Sequence, residues 1–176
     1  MKFLKIALSI IVVIALIVVL GSFFLPKNSR VERSVMVATT DTAAYAYVLD
    51  FSKFNEWSPW YEMEPTAQTE VSGPQGEVGA TYSWVGKEVG TGSFEVVKLD
   101  PYQSIDQKLT FLTPFEATAQ NNFTFNQQAD SVKVTWIYDG ENKGIMDKWM
   151  GLMMDGMIGK DYQKGLNKLK ANLEKK

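Results

Sequence analysis

Gln107 and Asn121 carry the most specific chemical signal in the sequence, because each occupies a position where alternation of apolar and polar residues calls for an apolar side chain. A buried amide that lacks partners costs about 1–3 kcal/mol. The Thr113-Pro114 turn joins the two segments, so the amides should be adjacent or diagonal neighbours. They either hydrogen-bond each other or a cavity water, or they bind the polar group of a ligand.

Aromatic residues recur on the same predicted face of several strands. Pockets for small molecules are mostly apolar with few polar groups, so these residues are candidates for lining a ligand cavity. The alternative is that they fill the core. The set comprises Tyr82, Trp84, Phe94, Phe111, Phe123 and Trp136.

Methionine is concentrated near the C-terminus. Five of the eight methionines lie within twelve residues, namely Met146, Met150, Met153, Met154 and Met157. Methionine is flexible and adapts to variable apolar partners, so the cluster indicates either a deformable lid over a pocket or filling of an irregular core. The three candidate ligand contacts are Met150, Met153 and Met157.

The sequence contains no cysteine and no histidine. Disulfides, Cys or His metal sites, thiol nucleophiles and Ser-His-Asp triads are therefore excluded. No pair of carboxylates points inward, and Tyr82 and Tyr138 are the ionisable groups predicted inside. We expect no metal and no cofactor. A cyclase or dehydratase that uses Tyr82 or Tyr138 as proton donor stays open as an alternative.

The predicted elements indicate an α+β domain. Strands are predicted at 29–38, 66–71, 81–85, 89–99, 104–111, 116–125 and 131–138, and short helices at 43–51 and 53–57. Short turns join the later strands, so the sheet must be antiparallel, with one apolar face that needs a cover. The cover is predicted to be a long helix over 144–175, bent or broken near Gly156 to Gly159. Its apolar stripe is formed by Ile145, Met146, Trp149, Met150, Leu152, Met153, Met157 and Ile158 and is continued by Leu166, Leu169 and Leu173.

The N-terminal segment predicts a membrane anchor. Ile6 to Leu25 is twenty residues without a charge, about 30 Å as a helix, which matches a bilayer core. A cleaved signal peptide is the alternative, but Val19-Leu20-Gly21 is a poor cleavage site and apolar residues resume at Phe23. We therefore predict an anchor at 1–27, with membrane contact through residues 3–25, and a folded domain at 28–176.

Orientation and partners follow from charge. Basic residues nearly tie across the apolar segment, but the very short N-terminal flank favours a single-pass protein whose domain lies outside the cytoplasm, on the periplasmic side. After Leu25 there are 16 basic and 20 acidic residues, a net charge of −4, so nucleic-acid binding is disfavoured. No protein partner is indicated by name or class.

Several local motifs resemble the START/SRPBCC superfamily, in its polyketide cyclase/dehydrase-like branch. They are Val31-Glu32-Arg33-Ser34, Asp50-Phe51, Trp57-Ser58-Pro59-Trp60, Val78 to Trp84, Pro114-Phe115-Glu116 and Gly165 to Lys170. The resemblance covers about residues 29–174. It implies a helix-grip fold, a curved antiparallel sheet wrapped around a long C-terminal helix, with a cavity between them for a hydrophobic molecule.

The sequence thus predicts membrane-tethered binding or carriage of a lipid-like or aromatic molecule. A protein-interaction module, with the methionine-rich helix as its contact surface, is the third possibility. The Trp57-Ser58-Pro59-Trp60 segment would either gate the cavity mouth or pack a loop onto the core.

Overall fold

Alternating apolar residues build a seven-stranded antiparallel sheet in the computed structural model, which describes residues 2–175. The number of strands and the antiparallel pairing confirm the sequence prediction. The strands are β1 (Asn28–Val37), β2 (Gln68–Ser72), β3 (Thr81–Val85), β4 (Thr91–Asp100), β5 (Ser104–Thr113), β6 (Ala117–Gln128) and β7 (Ser131–Glu141).

The sheet order is β1-β7-β6-β5-β4-β3-β2, so the first strand pairs with the last. Val31 lies opposite Tyr138 in that pairing, and Gln107 lies directly opposite Asn121 between β5 and β6. A register shift in β4 between Val96 and Lys98 marks a bulge, which bends the strand and helps the sheet to curve.

Six helices accompany the sheet: α1 (Lys2–Ser22), α2 (Asp41–Leu49), α3 (Phe54–Trp57), α4 (Pro59–Met63), α5 (Ile145–Gly151) and α6 (Met154–Leu173). Two of them begin with side-chain caps. The Thr40 hydroxyl accepts from Ala43 N at 3.2 Å, and the Ser58 hydroxyl accepts from Tyr61 N at 3.2 Å, with Pro59 in the first turn.

Helix α6 covers the concave face of the sheet and closes the core. Its own residues Tyr162, Leu166 and Leu169 are buried against the sheet, and Trp57 and Trp136 are buried with them. The rings of Trp136 and Tyr162 stack with centroids 4.1 Å apart. This arrangement of a curved sheet around a long helix confirms the predicted helix-grip fold.

The predicted bend near Gly156 to Gly159 is wrong. The C-terminal helix breaks at Leu152-Met153, and α6 then runs through its glycines without interruption. Two of those glycines allow close packing instead. A side chain at Gly159 would collide with the Arg33 guanidinium, and one at Gly165 would lie 2.8 Å from the Trp136 ring.

The predicted apolar stripe of the last segment is also wrong in its first half. Ile145, Met146, Met150, Leu152, Met153 and Met157 are exposed, because α5 packs against the end of α1 and the edge strand β1 and is not enclosed by the sheet. The residues that cover the sheet are those of α6 from Ile158 onward.

Helix α1 is long and apolar enough to cross a membrane, although a signal sequence passes the same test. No residue of its apolar window is buried. Its last turn contacts α5: the Trp149 indole N–H donates to Val18 O at 3.1 Å, and the Lys148 ammonium donates to Ser22 O at 3.1 Å. The division into an anchor at 1–27 and a domain at 28–176 stays a prediction.

Candidate ligand cavity

A cavity of about 360 Å³ lies between the concave face of the sheet and the α5–α6 junction. Its volume falls within the range of roughly 300–1,000 Å³ that is typical of small-molecule sites. Strands β3, β4, β5 and β6 form its floor, α4 borders it, and methionines of α5 and α6 form its roof. It opens to the surface beside Phe115, Met150 and Met157, all of which are exposed.

The floor consists of aromatic rings that pack against one another. Trp84 lies between Phe94, at 5.1 Å between centroids, and Phe111, at 5.9 Å. The Trp84 ring rests on Gly92, where an added Cβ would lie 2.5 Å from the ring and 2.5 Å from Thr110 O. The glycine opposite Trp84 on β4 therefore lets the indole lie flat along the sheet.

The predicted site residues divide into three groups. Tyr82, Trp84, Phe94, Phe111, Met150 and Met157 line the cavity. Gln107, Asn121, Phe123 and Trp136 are buried beside it but are not part of its wall. Met153 is exposed outside it, because the helix break at that residue directs its side chain to the surface. Ligand contact by any of these residues stays a prediction.

Gln107 and Asn121 satisfy each other, which is one of the alternatives that the sequence left open. Asn121 Nδ2 donates to Gln107 Oε1 at 2.7 Å. Asn121 Oδ1 accepts from the Trp136 indole N–H at 2.6 Å and from the Tyr162 hydroxyl at 2.8 Å. The amides therefore bind β5, β6, β7 and α6 together instead of facing the cavity.

Of the alternatives for Trp57-Ser58-Pro59-Trp60, packing onto the core is seen at Trp57, and gating of the cavity mouth stays a prediction. Trp57 is buried in the core and packs edge-on against Trp136, with centroids 5.3 Å apart. Trp60 is half-buried and lines the cavity. The segment thus joins the core to the cavity wall.

Tyr162 is the main site residue that the sequence analysis did not select. It lies four residues before Leu166 on the buried face of α6, and that helical spacing is the signal that identifies it. One side of its ring reaches the cavity while its hydroxyl bonds Asn121. Burial raises the pKa of Tyr162 well above its usual value, so the hydroxyl stays protonated and donates.

The cavity wall carries few polar groups. The Tyr82 hydroxyl donates to Asn55 Oδ1 at 2.6 Å, and burial raises its pKa to about 12. The Tyr138 hydroxyl has no hydrogen-bond partner among residues 2–175. Burial, with a smaller contribution from Asp139, raises the pKa of Tyr138 as well. Tyr138 therefore lines the cavity with its hydroxyl protonated at neutral pH.

No charged residue of the described part of the chain lines the cavity. Among residues 2–175 there is also no cluster of acidic side chains that could hold a metal ion. An ionised ligand group placed deep inside would lose its hydration without gaining a partner of opposite charge, which is strongly unfavourable. The geometry suits an uncharged apolar molecule.

Comparison with known proteins agrees with this fold. The family described as "Polyketide cyclase / dehydrase and lipid transport" matches residues 29–174. The chain belongs to this family. Its members' description joins two activities, cyclisation or dehydration and lipid transport, so family membership supports a hydrophobic-ligand or cyclase fold without choosing between them. No curated protein matches the sequence.

Several solved structures resemble the chain in fold at low sequence identity. The di-domain ARO/CYC StfQ from the steffimycin biosynthetic pathway matches with TM-score 0.60 and 15% identity, over 84% of this chain and 51% of that one. Ara h 8.0201 matches with TM-score 0.59 and 11% identity, over 83% and 97%. The Aha1 dimer from Colwellia psychrerythraea matches with TM-score 0.56 and 16% identity, over 82% and 96%. At these identities the likeness shows the fold alone.

Proposed function

We propose that this member of the polyketide cyclase/dehydrase and lipid transport family binds an uncharged hydrophobic molecule in the cavity while α1 tethers it to a membrane. The observation that carries the proposal is a cavity of about 360 Å³ whose wall is apolar and has no charged residue. The ligand class is lipid-like or aromatic, with at most one polar group for the Tyr138 hydroxyl.

Contacts at the end of α1 support an uncleaved anchor over a signal peptide. Val18 and Ser22 accept hydrogen bonds from Trp149 and Lys148, and an added Cβ at Gly21 would lie 3.0 Å from the Trp149 ring. Cleavage after Gly21 would remove the Val18 and Gly21 contacts. The tether would keep the cavity near the bilayer and raise the effective concentration of a membrane-resident ligand.

The domain is proposed to lie on the periplasmic side, because the flank that precedes the span is very short. A fusion of alkaline phosphatase to the C-terminus tests this side of the membrane. Alkaline phosphatase becomes active only outside the cytoplasm. An active fusion therefore supports the proposed orientation, and an inactive fusion that is stably expressed refutes it.

A cyclase-type reaction is the second candidate, favoured by the Tyr138 hydroxyl at the cavity wall. With its pKa raised by burial, this group is a proton donor at neutral pH and not a base. In that case Tyr138→Phe would abolish turnover of a cavity-bound substrate while leaving its binding nearly unchanged.

Photocrosslinking with a matched pair of probes tests the cavity. Benzophenone is uncharged, and 4-benzoylbenzoate adds one carboxylate to the same rings. Irradiation of the full chain in mild detergent should place benzophenone on β4 and β5 peptides that contain Phe94 and Leu109, which are buried and reached through the cavity. The carboxylate probe should label these peptides much less, because its charge has no partner there.

Val89→Trp fills part of the cavity and should suppress this labelling. Val85→Trp is the matched control, since Val85 lies on the same hairpin but is exposed outside the cavity. Equal labelling by both probes, or labelling unchanged in Val89→Trp, would overturn the proposal of an uncharged ligand in this cavity.

A further inference from the structure

We propose that the cavity mouth is seated on the lipid bilayer, so that the ligand enters from the membrane and not from water. The seating surface is an apolar collar formed by Phe115 on the β5–β6 turn and by Met146, Met150, Met153 and Met157 on α5 and α6. This inference rests on the proposed function for the anchoring role of α1 and for the use of the cavity.

The collar residues are large, apolar and exposed. Their exposed fractions run from 40% for Met150 to 70% for Phe115. Phe115, Met150 and Met157 also line the cavity, so the exposed apolar surface is continuous with its mouth. Apolar patches of this kind on a folded domain mark surfaces that contact a partner or a membrane.

Helix α1 fixes the depth of the collar. Trp149, which directly precedes Met150, donates its indole N–H to Val18 O, four residues or about 6 Å before the end of α1. If α1 spans a bilayer, this indole lies at the boundary between hydrocarbon and headgroups, where tryptophan is enriched. The collar then lies at the same boundary.

Two acidic residues near the collar have partners of their own, while Glu116, next to Phe115, is exposed. Asp155 pairs with Arg33 at 2.8 Å, and the Asp147 carboxylate accepts from Gly144 N at 2.7 Å. The Lys148 ammonium is bonded to Ser22 O at the end of α1. Lys143 and Lys27 are exposed on this side, and lysines of this type reach lipid headgroups readily.

A bilayer is the occupant that these observations favour over a protein partner. Trp149 and Lys148, which precede Met150 in the chain, contact the end of α1. Methionine and phenylalanine can enter disordered lipid without a fixed complementary shape. The flexible methionines can also move aside to admit a ligand from the lipid phase.

The absence of cysteine makes a clean experiment possible. Single-cysteine variants Phe115→Cys and Met153→Cys place an NBD label on the two opposing sides of the collar. Gln128→Cys is the control, since Gln128 is exposed at the far end of β6, about 36 Å along the strand from Ala117. The labelled full chain is reconstituted in phosphatidylcholine vesicles with and without lipid that carries a nitroxide on its acyl chain.

We expect the nitroxide lipid to reduce emission of both collar labels about twofold or more, because interfacial side chains lie roughly 5–10 Å into the headgroup boundary. The Gln128 label should be unaffected. Quenching of neither collar label, or of one side alone, would overturn the seating of the mouth. Blue-shifted emission without nitroxide quenching would show that protein, such as a second copy, covers the collar, and would overturn it too.

This measurement needs no ligand, so it separates the two proposals. Quenched collar labels with no benzophenone labelling of Phe94 and Leu109 peptides would refute the proposed ligand and leave the seating in place. The reverse result would refute the seating alone. Recovery of the chain cleaved anywhere within residues 1–27, by intact mass, would refute the anchor and with it the seating.

Discussion

Replacing Asn121 by leucine tests whether the buried amide network holds the sheet to α6. Asn121 is 1% exposed, and leucine has the same number and branching of side-chain heavy atoms, so the change removes hydrogen bonds without opening a large cavity. Three buried groups lose their Asn121 partner: the Trp136 indole N–H, the Tyr162 hydroxyl and Gln107 Oε1.

The expected loss follows from those three groups. At about 1–3 kcal/mol for each unsatisfied buried group, Asn121→Leu should lower the free energy of unfolding by roughly 3–9 kcal/mol. That is a large share of the 5–15 kcal/mol or so that stabilises a typical domain. Tyr162→Phe removes one donor and leaves Asn121 Oδ1 bonded to Trp136, so it should cost only about 0.5–1.5 kcal/mol.

Urea unfolding of the full chain in non-ionic detergent, followed by near-ultraviolet circular dichroism, measures these losses. The double variant Asn121→Leu/Tyr162→Phe should be more stable than additivity predicts by about 1.5–4.5 kcal/mol, because Tyr162→Phe costs about 0.5–1.5 kcal/mol when Asn121 is present but relieves about 1–3 kcal/mol once Asn121 is gone. Asn126→Leu is the control on the exposed face of the same strand and should change stability by less than about 0.5 kcal/mol. An Asn121→Leu loss below about 1 kcal/mol, or an additive cycle, would refute the network as a source of stability.

Two further predictions concern the cavity floor. Burial raises the pKa of Tyr82 from 10.0 to about 12, so Tyr82 should favour the folded state fully below pH 10 and lose that contribution as the pH rises from 10 to 12. Absorbance titration at high pH should show one fewer late-titrating tyrosine in Tyr82→Phe than in the parent chain, where the pKa values of Tyr47, Tyr138 and Tyr162 are also raised. Loss of a step near pH 10 instead would contradict this. Gly92→Ala places a methyl group against the Trp84 ring and Thr110 O, which forces the indole or the strand to shift. It should lower the free energy of unfolding by about 1–3 kcal/mol. Gly156→Ala is the control: its methyl group meets no atom within 4 Å, so it should not lower the melting temperature.

The sequence determined the fold class because its information is local and periodic. Apolar and polar residues that alternate with a period of two identified the strands to within a few residues, for example Thr81–Val85. The helical spacing of Leu166, Leu169 and Leu173 identified the covering helix. The twenty-residue apolar run likewise identified a helix long enough for a bilayer. These features depend on which residues follow one another, not on what lies across the fold.

Tertiary structure decided what the inward-facing residues do. The alternation placed Phe94 and Phe123 on the same face, but only the helix position determines that Phe94 meets the cavity and Phe123 the core. Glycine spacing suggested a bend at Gly156 to Gly159, yet the close approach of Arg33 to Gly159 shows that the residue serves packing between two distant segments.

The Asn121 network and the collar show the same limit. The sequence could predict that Gln107 and Asn121 are neighbours, because one turn joins their strands, but not that Trp136 and Tyr162 complete the hydrogen bonds. It identified the methionine cluster but not its exposure beside α1, since that depends on the break at Leu152-Met153 and on contacts more than 120 residues apart in the chain. A local pattern specifies a face, whereas the partner on that face is specified only when distant segments pack together.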